Sequence, residues 1–137
     1  MYLILPIIQA ASCLFLAALV LRRDFTHNLF SLFLACLGVW GIIIFGMRAS
    51  PSIEYAFIWD RIIIPLSTLM PVLFYHFSVR FTGIKINKYI LPVLYIICAL
   101  MIPLTTTELI FSGMQVKSYG YAPIFGPLWP LWITLIY

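Results

Sequence analysis

Long uncharged stretches alternate with short polar interruptions along this chain, and their lengths set the first expectation. Apolar and small residues run from about 2 to 21, stop at "RRD", and resume from about 27 to 47. A third run covers about 56–80, its uncharged part Ile62–Val79, and a fourth covers about 89–107. A spanning helix needs about 20 apolar residues to cross a hydrocarbon core about 30 Å thick, so each run is predicted to be a transmembrane helix. A fifth begins at Leu128 and holds ten residues, "LWPLWITLIY". At about 1.5 Å per residue these reach about 15 Å, half a bilayer. The chain therefore reads as part of a longer protein, with about four and a half spans present. The expected fold class is all-α, a polytopic transmembrane helical bundle whose spans are joined by polar links.

Composition agrees. The 137 residues are 64% hydrophobic and 9% charged, where a soluble domain carries about 25% charged residues. The basic residues behind the net charge of +4 are expected to record orientation in the membrane rather than a nucleic-acid surface. Cys13, Cys36 and Cys98 lie inside apolar runs, with neither a CxxC pair nor metal-ligand spacing. No metal or cofactor is expected. The first run lacks the leading positive charge of a cleaved signal and continues past "QAASC" to Leu21, so it is expected to be a retained span.

Links after the first and third spans hold Arg22, Arg23, Arg80, Lys85 and Lys88 against Asp24. Links after the second and fourth hold Arg48, Arg61 and Lys117 against Glu54, Asp60 and Glu108. The positive-inside rule then places the amino terminus outside and the first and third links in the cytoplasm. On that orientation the link of about 106–127, "TTELIFSGMQVKSYGYAPIFGP", faces out. It exceeds the two to eight residues or so that join adjacent helices. Its apolar residues, Tyr119, Tyr121, Gly120, Gly126, Pro123 and Pro127 suit either a lid over the outer mouth of the bundle or an aromatic anchor at the headgroups.

The third span is the least ordinary. Ser67, Pro71 and Tyr75 recur every four residues with Thr68 beside them, a polar stripe that belongs against other helices or a wet cavity. Pro71 removes a donor and frees a carbonyl near Ser67, which nearby hydroxyls are expected to compensate. A kinked but inert packing helix explains the same residues. His76 and Arg80 stand one turn apart at its inner end, where Arg80 is expected to snorkel to the headgroups. A proton relay through His76 would need a carboxylate inside an uncharged run, and none is there. At the outer end Arg61 is a candidate to hold a ligand carbonyl or a carboxylate such as Glu54. Nucleotide-binding glycine loops, paired intramembrane carboxylates and an activated nucleophile are all missing. Catalysis is not expected of these residues.

Three passages together carry a resemblance. "HNLFSLFLACLGVWGI" (27–42) resembles the second helix, "FIWDRIIIPLSTLMPVLFYHFSVRFTG" (57–83) the third helix, and "TTELIFSGMQVKSYGYAPIFGPLWPLW" (106–132) the exterior link of the amino-terminal seven-transmembrane sensor region of bacterial and archaeal histidine kinases. Trp40, Trp59, Arg61, Pro71, Phe77, Phe81, Thr82 and Gly83 fall on the family's recurrent positions, as do Gly120, Tyr121, Pro123, Gly126, Pro127 and Leu128. His27 and Trp129 depart from its usual residues. The resemblance implies a sensory input domain in a prokaryotic inner membrane, multi-pass, that detects an extracellular or membrane-borne stimulus. It also implies relay to a cytoplasmic effector and dimerisation through that module. Ligand or gating roles are expected of Arg61, Ser67, Thr68, Pro71, Tyr75, His76, Tyr119 and Tyr121, the partners being lipid and a small or amphiphilic ligand. A transporter fragment, with a substrate site at Pro-broken helices, and a structural membrane subunit are the alternatives.

Overall fold

A computed structural model describes residues 3–21, 24–104, 107–118 and 120–136. It is mostly helical, 73%. Helix α1 is Ile4–Val20, α2 Phe25–Ala49, α3 Ile53–Thr82, α4 Ile90–Leu104 and α5 Trp129–Ile136, with strands β1 Phe111–Lys117 and β2 Gly120–Phe125 between α4 and α5. Helices α2 and α3 are long and apolar enough to cross a membrane, and α1 and α4 are shorter apolar helices. At about 1.5 Å per residue, the 30 residues of α3 extend about 45 Å, beyond the hydrocarbon thickness.

Local chemistry sets the helix ends. Asp24 caps α2, its side chain accepting from the His27 amide at 3.4 Å while Oδ2 meets His27 Nδ1 at 2.7 Å. The His27 hydrogen bond holds the exposed Asp24 carboxyl below its ordinary value. Pro51 forces Ser50 into extended backbone and ends α2. Gly83, at φ 67°, closes α3 in the left-handed conformation that side chains resist.

Helices α1, α2 and α3 pack in chain order. Ser31 of α2 is buried and donates to the Ala17 carbonyl of α1 at 2.7 Å. Leu29, Cys36, Met70 and Leu73 form the α2–α3 core. Much of the apolar side-chain area lies outside it: Ile4 59%, Phe15 65%, Ile96 57% and Leu100 60% exposed. Buried polar groups with an apolar exterior suit lipid surroundings, because water would not tolerate so large an apolar face. Helix α4 buries Cys98 and leaves most of its other residues open.

The link that the sequence presents as irregular is a β-hairpin, which corrects the all-α expectation. Phe111 pairs with Phe125 and Met114 with Pro123, with a register shift between Phe111 and Gly113. That irregularity explains why the strand escapes a period-two reading. The buried positions Phe111 and Met114 stand three apart instead of two or four. An isolated hairpin is marginal in water, and this one is anchored through Ile110, Phe111, Met114 and Ala122. It packs at the end of the bundle where α2 passes into α3. Met114 joins Met47 and Ala56, with Tyr121 and Trp59 against them. At the hairpin's neck, Gly126 admits no side chain: a Cβ there would sit 2.4 Å from the Leu109 carbonyl oxygen.

Candidate functional site

Below the hairpin lies a cavity of about 410 Å³, bounded by α2, α3, the two strands and α5. From α2 come Trp40, Ile44 and Met47; from α3, Asp60, Ile63 and Ser67; from the hairpin, Phe111, Pro123 and Phe125; from α5, Trp129, Trp132 and Ile133. The lining is overwhelmingly apolar with few polar groups, and its size falls in the range of small-molecule sites, about 300–1,000 Å³. Phe125 stacks on Trp129 with centroids 4.1 Å apart, and Trp129 lies 4.8 Å from Trp132.

Asp60 is the most unusual member. It is 1% exposed, and its Oδ2 has no hydrogen-bond partner. The span of about 56–80 includes this residue, but it precedes the uncharged part Ile62–Val79 and is counted with the charges of the outer link. The structure buries it, seating it on a stripe of α3 with Ala56, Ile64 and Thr68. The spacing of four that joins these residues was the signal available in the sequence. Trp40 Nε1 is likewise buried without a partner.

The predicted polar stripe divides between two cavities. Ser67 faces the first. Thr68, Pro71 and Tyr75 line a second, of about 200 Å³, with Val72, Leu94, Ile97 and Cys98 between α3 and α4. The hydroxyls do not cover the carbonyl that Pro71 frees. Ser67 Oγ donates to the Ile63 and Ile64 carbonyls at 2.8 and 3.0 Å, and Thr68 Oγ1 to the Ile64 carbonyl at 2.8 Å. Bonds of this kind, back to the preceding turn, tend to bend a helix. Thr68 Oγ1 also accepts from Trp132 Nε1 at 3.2 Å, and the Thr68 carbonyl receives Cys98 Sγ at 3.6 Å. One turn of α3 thereby holds both α4 and α5.

The remaining candidates lie elsewhere. The Arg61 guanidinium rests over the Phe57 ring, 4.5 Å from its centroid, instead of meeting the expected Glu54 carboxylate. His76 sits at the far end of α3 with Nδ1 2.9 Å from Tyr95 Oη and its ring edge-on to Phe25, over which Arg80 also lies at 5.4 Å. Phe77 and Phe81 belong to an aromatic row with Phe30 and Phe74. Trp59 packs over Gly46, and Gly120, at φ 117°, lies against Arg48. Tyr119 falls outside the described residues; Pro127 is exposed. Asp60, Phe111, Phe125, Trp129 and Trp132 are not among the residues expected from the sequence to hold a ligand. Their convergence is tertiary: Trp132 meets Thr68 across 64 positions of chain.

Among the described residues no group of three or more His, Cys, Asp or Glu is placed to hold a metal ion. No curated protein and no solved structure matches the chain. The family model for the N-terminal 7TM region of histidine kinase matches residues 5–137, nearly the whole sequence. The chain belongs to that family, the amino-terminal seven-transmembrane region of histidine kinases.

Proposed function

We propose that this chain is the sensory input region of a signal-transducing membrane protein, multi-pass in the prokaryotic inner membrane, with its amino terminus and hairpin outside. The observation that carries the reading is an aromatic cavity roofed by the hairpin and walled by the Pro-interrupted helix α3, in a chain of this family. A stimulus entering the cavity would favour one arrangement of α3 over another, and only a ligand that binds the two arrangements unequally can shift them. The signal passes to a cytoplasmic effector, and dimerisation proceeds through that module. Orientation is supported by the excess of basic residues in the links after the first and third spans. The hairpin packs at the α2–α3 end, so the second and fourth links share one side, as alternating spans require.

Two measurements test this. Ser118 is exposed at the hairpin turn, so Ser118→Cys should react with an impermeant thiol reagent applied to whole cells; labelling only after lysis rejects the orientation. In membranes carrying the protein with its effector, Pro71→Ala should change phosphate transfer to the cognate receiver. A shift of about 1 kcal/mol in the α3 equilibrium alters a population ratio about fivefold. Unchanged transfer in both Pro71→Ala and a cavity-filling Ile44→Phe rejects the sensory reading. The buried Asp60 gives the transporter alternative an acid it lacked in the sequence, and accumulation of a labelled solute by proteoliposomes would favour it.

A further inference from the structure

We propose that the hairpin-roofed cavity binds a compact organic cation, an ammonium group carried on an apolar or aromatic body, with Asp60 as its counter-ion. The assignment rests on the sensory reading above and names the ligand class of that same site. Asp60 brings a carboxyl oxygen, Oδ2, that is buried and without a hydrogen-bond partner. Burial makes the charged form of such a carboxyl costly, and a cation that hydrogen-bonds to it would offset that cost. The neighbouring Arg61 forms no ion pair with Asp60: its guanidinium lies over the Phe57 ring, outside this cavity's lining, with its Nε buried and also without a hydrogen-bond partner.

The rest of the lining selects the ligand's body. Trp40, Phe111, Phe125, Trp129 and Trp132 supply aromatic surface, whose faces attract a desolvated cation. Beyond the carboxyl, the Ser67 hydroxyl and the indole N–H groups, the lining among the described residues brings no polar side chain. An inorganic cation would need several oxygen ligands, which this lining does not provide. A volume of about 410 Å³ admits roughly fourteen groups of water size, taking about 30 Å³ for each. That is room for a ligand of modest size.

The test uses the full protein in phosphatidylcholine nanodiscs and three probes sharing one apolar chain: octylamine, octan-1-ol and octanoate. Three of the four tryptophans line the cavity, so intrinsic emission reports occupancy. At neutral pH octylamine is protonated, as a lysine amine is. It should give a saturable change, binding about tenfold or more tightly than octanol, with octanoate weakest. Asp60→Asn should abolish the advantage of the amine and leave octanol unchanged. Should that variant not fold, Ile44→Phe keeps the carboxylate, fills the cavity, and should remove saturable octylamine binding. Equal responses to the three probes, no saturable response to octylamine, or octylamine binding as tight in Ile44→Phe as in the wild type overturns the proposal. Binding without any effect on phosphate transfer would instead strike the sensory reading, so the two fail separately.

Discussion

Thr68→Val tests the idea that one turn of α3 holds its neighbours. Valine nearly matches threonine in shape, so the substitution opens no cavity, and the two residues have similar helix propensities. Two interactions are lost. The first is the bond from Thr68 Oγ1 to the Ile64 carbonyl, of a kind that adds little because it slightly strains the helix. The second is the acceptor for Trp132 Nε1. Thr68 is 4% and Trp132 8% exposed, so water does not readily replace it, and an unpaired buried donor costs about 1–3 kcal/mol. Hydrogen bonds between membrane helices measure lower, about 0.6 kcal/mol on average and about 1.7 at most, because the unfolded chain finds partners in the membrane too. The lower scale governs here, and a destabilisation of about 1 kcal/mol is expected. Reversible unfolding in mixed micelles, titrated with a denaturing detergent, measures it. The decisive number is the coupling in a cycle with Trp132→Phe, which removes the donor. Coupling within about 0.3–0.5 kcal/mol of zero, the scatter expected of independent sites, would refute the reasoning.

Other consequences are as direct. Gly126→Ala would set a methyl 2.4 Å from the Leu109 carbonyl oxygen and 2.6 Å from that of Glu108; the hairpin neck must part, at about 1–3 kcal/mol, and faster hydrogen exchange confined to the hairpin should report it. Ile64→Ala removes a side chain 1% exposed in the cluster with Ile110, Phe111 and Trp132, with an expected loss of about 2–5 kcal/mol in the same unfolding assay. Asp24, its carboxyl held below the ordinary 3.8 by the His27 hydrogen bond, contributes stability that is full above that value and lost as pH falls through the folded-state value. The difference in melting temperature between wild type and Asp24→Asn should therefore close on acidification, and one that widens contradicts the sign.

Helices were legible because their signal is local. Uncharged runs bounded by "RRD" and by Pro51 or Gly83 mark where α2 and α3 begin and end. The hairpin was not legible, since an irregular register between Phe111 and Gly113 breaks the alternation that identifies a strand. The burial of Asp60 was hidden because its charge counts with the outer link, ahead of the uncharged part Ile62–Val79. A charge is taken as the edge of an apolar run, whereas burial follows the helix face, and Asp60 shares its face with Ala56 and Ile64. The polar stripe was visible as a set of residues. Its division between two cavities was not, because that depends on which neighbours α3 meets.

That division has a mechanical consequence. Ser67 and Thr68 are consecutive, so about 100° separates their directions around the helix axis, and each is committed to a different hollow. The helix between them behaves as a shared partition. A roll of α3 that gave space to one compartment would take it from the other, and on the proposed sensory reading this is the route by which occupancy under the roof would reach the α4 flank.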